Sequence, residues 1–170
     1  MVNATNCVDF VISLQGDGMW SKLYFGKHAG RSLPQTLFSD PDYFFWSIEK
    51  NIFKGHLAME ANKLTRMVRH IRIPKQDPEN WCVQYFLTTE HKFSRFQIIP
   101  TNREPHTGSS ITRRTRHIDM LVIRQACRYD KGGYKRFLKS LKYHLFGNSS
   151  IKMTAARCEE FFDDDDNFAS

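Results

Sequence analysis

Apolar residues recur along this chain with two different periods, and the switches between them mark its elements. Val8 to Leu14 is apolar and β-branched and stops at Gln15-Gly16-Asp17-Gly18, which predicts a strand and a turn. Lys22 to Gly26 predicts a second short strand that turns at Gly26-Lys27-His28-Ala29-Gly30. Ser32 is placed to cap a brief helix through Leu37 and Phe38. Pro41, with Asp40 and Asp42 beside it, opens another. In that second helix Tyr43, Phe44, Phe45, Trp46 and Ile48 leave little polar face, so it is expected to be buried.

From Leu57 to Ile71 the period is helical. Leu57, Ala61, Leu64, Val68 and Ile71 form one stripe, Lys63, Arg66, Arg69, His70 and Arg72 lie off it, and Pro74 is expected to end it. Trp81, Val83, Tyr85 and Leu87 then alternate, and Phe93 to Ile99 returns after a polar turn, which predicts a β-hairpin. Residues 100–115 are polar and rich in turn formers, so an exposed loop is expected. His117 to Arg124 reads as a further strand. Tyr134 to Phe146 is a basic amphipathic helix: Tyr134, Phe137, Leu138, Leu141 and Leu145 point inward, and Gly147 stops it. A last helix is expected over Thr154 to Phe162, after which the acidic end frays. Helices and strands come in blocks, so the fold class is α+β, a small antiparallel sheet with packed amphipathic helices. The organisation expected is residues 1–74, residues 75–162 packed as one unit with the first, and an acidic tail over 163–170.

Composition supports a packed core, with 41% hydrophobic and 14% aromatic residues. No apolar run reaches the length of a membrane span, and the start of the sequence lacks the basic-apolar-small pattern of a secretion signal. Cys7, Cys82, Cys127 and Cys158 show no Cys-x-x-Cys spacing, which argues against zinc and for reduced thiols in a cytoplasmic protein without a membrane.

The net charge is +7 and unevenly spread. Residues 103–144 hold eleven Lys/Arg against three acids, whereas the last twelve residues hold six acids and no base. A basic body attracts polyanions by neutralising phosphates and releasing their counterions.

The stretch Tyr24 to Trp46, "YFGKHAGRSLPQTLFSDPDYFFW", invites a phosphate-loop reading. Yet it has neither the Gly-x-x-x-x-Gly-Lys-Ser/Thr nor the Gly-x-Gly-x-x-Gly pattern. Its glycines are better explained by positive φ or by backbone crowding an aromatic ring. The order Phe25-Gly26-Lys27, Gly30-Arg31, Leu33, Asp40-Pro41, Tyr43 and Trp46 resembles the small C-terminal module of exonuclease-X-like proteins, with relatives in phages and mobile elements. The resemblance covers about residues 22–70, and Ala29 departs from it where the module often has a base. In such exonucleases the chemistry belongs to a separate N-terminal domain with spaced carboxylates around two metal ions. Only 21 residues precede the module in this sequence, so the resemblance implies an accessory unit that engages nucleic acid. Lys27 and Arg31 are its candidate phosphate contacts, with Lys22 and His28 nearby.

Arg113, Arg114 and Arg116 lie among Ser109, Ser110, Thr112 and Thr115, where charged forks and hydroxyl donors coincide. Arg124, Arg128, Lys131, Lys135, Arg136, Lys139 and Lys142 extend the same candidate surface, and Tyr129 and Tyr134 are placed to stack on unpaired bases. His117 and Asp119 share a strand face, a pair whose default role is structural. The run Asp163 to Asp166 suits a solvated tail better than a metal site, because adjacent carboxylates diverge. Apolar Phe161, Phe162 and Phe168 are able to dock that tail, and the tail is able to compete with nucleic acid for the basic surface. The expected function is a non-catalytic nucleic-acid-binding accessory protein, with no catalytic residue, metal or cofactor and with DNA or RNA as partner. The alternative is a phage- or mobile-element-type interaction module, an adaptor or inhibitor docking on a nucleoprotein complex. A minimal metal-dependent nuclease fits least.

Overall fold

The computed structural model describes residues 19–170, so the strand expected at Val8 to Leu14 lies outside the described residues. The fold is α+β. Helices α1 (Leu33–Ser39), α2 (Pro41–Glu49) and α3 (Gly55–Met67) come first, then strands β1 (Trp81–Leu87), β2 (Phe93–Pro100) and β3 (Ile111–Thr115). Helices α4 (Leu121–Ala126), α5 (Lys131–Phe146) and α6 (Ala155–Asp163) complete it.

Local chemistry sets the helix ends. Ser32 accepts the Gln35 N–H to cap α1, and Asp40 accepts the Tyr43 N–H to cap α2, each followed by proline in the first turn. Asp130 caps α5 by accepting the Gly133 N–H at 2.8 Å, while its other oxygen accepts the Phe93 N–H at 2.7 Å and ties the helix to the start of β2. Gly147 ends α5 at φ 70°, where a side chain would be strained.

Before α1 the chain forms a hairpin-like loop with an isolated bridge between Lys22 and Ser32, in place of the short strand expected at Lys22 to Gly26. Gly26 and Gly30 turn it at φ 71° and 84°, and a Cβ on Gly26 would sit 2.7 Å from the Tyr43 hydroxyl. Both geometric reasons for the glycines therefore apply at Gly26.

The sheet is antiparallel in the order β2-β1-β3. Val83, Tyr85 and Leu87 face the core with Phe93 and Phe96, and Phe137 of α5 packs on both phenyl rings at 5.7 and 5.3 Å. The opposite face of β1 is buried as well, because residues 103–107 fold over it. His106 meets Phe86 edge-on at 5.1 Å, and the Arg95 guanidinium lies 4.0 Å above the Phe86 ring. Residues 100–115 are thus not wholly loop: Ile111–Thr115 pairs with β1 and is an edge strand among the described residues.

The strand expected at His117 to Arg124 is also corrected. Ile118 makes a single bridge to Ile71, and the chain then turns into α4, which buries Val122 and Ile123. The stripe after α3 leaves the helix at Met67, earlier than Pro74, and Ile71 bridges Ile118 and Phe168. Consequently the acidic end does not fray. Arg72 N–H donates to the Asn167 carbonyl, Ala169 N–H donates to the His70 carbonyl, and Phe168 is buried against Phe161 and Phe162 at 5.3 and 5.6 Å. Among the described residues no helix is long and apolar enough to cross a membrane.

Candidate nucleic-acid interface

Sequence position places twelve cationic side chains in one candidate surface; the fold separates those with partners from those without. Arg124 is a correction. Its side chain is 5% exposed, with Nε and Nη2 donating to the two Glu49 oxygens at 2.6 and 2.9 Å and Nη1 3.7 Å from Asp42. It is a clamp between α4 and α2, not a phosphate contact. Arg114 donates to Gln84 Oε1 and to the carbonyls of Arg103 and Glu104, and so fastens the 103–107 loop. Arg136 spends Nε and Nη2 on the Phe93 carbonyl.

Other candidates are partly engaged. Arg128 reaches Glu49 at 3.4 Å but stays largely exposed, Lys142 donates to the Ile151 carbonyl, and Arg31 donates to Ser39 Oγ. Lys27 pairs with Asp40 at 2.6 Å with its own side chain 55% exposed. Burial pushes the Asp40 carboxyl up, but Lys27, His28 and the Tyr43 N–H outweigh it and hold the group below its ordinary range. Tyr134 is buried and donates to the Met120 carbonyl, which removes it as a stacking platform, whereas Tyr129 is exposed.

Among the described residues Lys131, Lys135 and Lys139 show no ion pair and no hydrogen bond from their ammonium groups. They are exposed at successive i, i+4 positions of α5, a single ridge of charge. Lys131 and Lys135 line a small hollow with Asp40 and Asp42, the same turn that Lys27 holds. Two regions distant in sequence, the opening stretch and α5, therefore contribute cations to one locality.

Arg113, Arg114 and Arg116 do not act together. Register puts Arg113 opposite Tyr85 and Arg114 opposite Gln84, hence on different faces of the edge strand. Arg116, beyond the strand, faces a cleft of about 380 Å³ with Arg72, His117, Trp81, Glu79 and Thr101. His117 lies beside His70, with ring centroids 5.7 Å apart. Burial lowers the His117 pKa below the ordinary imidazole value, and the neighbouring His70, Arg116 and Arg72 lower it further. Asp119 accepts the Leu121 N–H and sits 4.0 Å from Arg69, so the His117–Asp119 pair is divided between two environments. A larger cleft of about 540 Å³ adjoins this one through Arg72, but it sets Lys75 and Arg157 against Glu160, Asp164 and Asp166. Its charges balance; those of the smaller cleft do not.

Sequence reasoning missed this cleft. Arg72 reads as a residue off a helical stripe and Trp81 as a core position; the bridge of Ile71 with Ile118 brings Arg72, and the pairing of β1 with β3 brings Trp81, to Arg116 and His117. Comparison with known protein families, curated proteins and solved structures finds no match to this chain.

Proposed function

We propose that this chain is a nucleic-acid-binding accessory protein that holds phosphates and does no chemistry on them. The observation that carries the reading is the ridge of Lys131, Lys135 and Lys139, exposed and unpaired among the described residues, with Lys27 contributed to the same locality by the loop before α1. The three α5 ammonium groups break no internal ion pair when they approach a phosphate, Lys27 shares its charge with Asp40, and each phosphate contact releases counterions. The resemblance of residues 22–70 to an exonuclease-X-like module supports the same reading, with the module as a packed platform and Lys27 at its rim. Exposed Tyr129, between the Arg124 clamp and α5, is placed to meet a base.

Binding of labelled single- and double-stranded DNA and RNA across a salt series tests this. Affinity falls steeply with salt, and the triple variant K131A/K135A/K139A makes the log–log slope shallower by about 2–3, near one unit per lost phosphate contact. Oligonucleotide affinity unchanged in the triple variant rules out the ridge. Absence of binding at moderate salt removes the reading and directs the search to a protein partner.

A further inference from the structure

We propose that the cleft between the segment following α3 and the end of β3 is a nucleotide site: Arg72, Arg116 and His117 hold the phosphate, and Trp81 supplies ring surface for the base. This deepens the nucleic-acid reading and takes from it the class of ligand.

Charge is the first argument. Arg72, Arg116 and His117 line one concavity in which, among the described residues, Glu79 is the single carboxylate. Burial, with His70, Arg116 and Arg72 nearby, disfavours the charged form of His117, so the two guanidiniums supply the positive charge and His117 supplies a ring N–H. A phosphate placed there meets two guanidiniums against one carboxylate.

Donor geometry is the second. The Arg116 guanidinium has no hydrogen-bond partner among the described residues, which leaves its fork free for a phosphate. Arg72 donates through Nη2 to the Phe168 carbonyl at 3.3 Å. That bond fixes the side chain while leaving other N–H groups to donate, so less rotamer freedom is lost on binding.

Size and composition are the third. About 380 Å³ falls within the range of small-ligand sites, roughly 300–1,000 Å³. Trp81 lines the cleft, and with the Lys75 ammonium 4.5 Å from its ring centroid on one face, the ring surface left for a base is the one turned to the cleft. Glu79 is an acceptor for a sugar hydroxyl or an exocyclic amine rather than for the phosphate. The adjoining 540 Å³ cleft, with its balanced charges, offers no such preference for an anion.

The ligand chemistry, a nucleotide phosphate with its base, occurs both in free nucleotides and at the end of a strand. The test titrates ¹⁵N-labelled protein with adenosine 5′-monophosphate, adenosine, inorganic phosphate, and tetraadenylate with and without a 5′-phosphate. The readout is the Trp81 indole N–H, assigned by its loss in W81F. Saturable shifts with adenosine 5′-monophosphate, weaker binding of adenosine and of phosphate alone, and an affinity at least about tenfold lower in R116A support the site. A phosphorylated tetramer that binds more tightly than the mononucleotide assigns it to strand ends; the reverse order assigns it to free nucleotides. A Trp81 signal unmoved by every probe, or R116A indistinguishable from the parent, overturns the proposal. The ridge variant K131A/K135A/K139A separates the two ideas. Nucleotide binding at Trp81 without salt-dependent oligonucleotide binding keeps the site and removes the broader reading, and oligonucleotide binding through the ridge with a silent Trp81 does the opposite.

Discussion

The guanidinium of Arg124 reaches from α4 to two carboxylates of α2 and is almost wholly withdrawn from water. Its hydrogen bonds hold the Glu49 carboxyl below the ordinary carboxylate range against the opposing effect of burial. Burial raises the Asp42 carboxyl despite Arg124, and Asp40 and Asp130 add repulsion. R124M therefore loses a charge-assisted pair and leaves Asp42 with fewer compensating charges, at a cost of about 2 kcal/mol near neutral pH. Glu49 has a lower pKa folded than unfolded, so its increment is present above the unfolded value and is lost as pH falls through the folded one. The melting temperatures of parent and R124M should accordingly converge as pH is lowered from 7 toward about 3. A constant gap would mean that the clamp works by packing alone. Here lies the limit of what charge shows in a sequence. Arg124, Arg114 and Arg136 share the composition of Lys131, Lys135 and Lys139, and only tertiary partners distinguish fasteners from free charges. Proline and cap residues were legible at Ser32, Asp40 and Gly147 because their partners lie within the next or preceding turn.

At the scale of elements, long periodic segments declare themselves and short ones do not. α3, α5 and the β1–β2 hairpin follow from spacing, since each repeats its period often enough to exclude the other. β3 is five residues on a sheet edge with two arginines, and its pairing with β1 is a long-range choice that local pattern does not encode. Leu121–Ala126 shows the converse: β-branched Val122 and Ile123, which favour extension, are turned into a helix by what they bury. The acidic end belongs to this class too, because its four consecutive aspartates conceal one anchor, Phe168. Phe168 is 9% exposed among Phe161 and Phe162. F168A should lower stability by about 2–4 kcal/mol, measured by denaturant unfolding, with a cavity beside α6. Removal of residues 163–170 would confound lost charge with lost packing, so competition by the tail for nucleic acid is properly examined with D164N/D165N/D166N. An F168A protein as stable as the parent would return the tail to the solvated state that its composition suggests.

Across the whole molecule the region up to Pro74 and the basic region that follows it share one interior. A continuous set of buried side chains runs from Trp20 to Phe168. Phe45 of α2 meets Tyr134 of α5 at 6.1 Å, Phe38 of α1 meets Phe161 of α6 at 5.4 Å, and Trp20 Nε1 donates to Asp163 at 2.9 Å. The Met120 N–H donates to the Val68 carbonyl, and the Ile71 bridges join the end of the first region to two later segments. Neither region closes its apolar surface alone. Such sharing predicts a single cooperative transition: melts followed by far-ultraviolet ellipticity and by tryptophan fluorescence should coincide, with equal calorimetric and van't Hoff enthalpies. The same coupling bears on function, because the proposed ridge draws Lys27 from one region and α5 from the other, and the cleft draws Arg72 from one and Arg116 from the other. Two separated transitions would mean that these cations are brought together only by an interface that opens before the regions unfold. Coincident transitions would mean that the charge arrangement is as durable as the fold itself, and that a phosphate meets a surface already assembled.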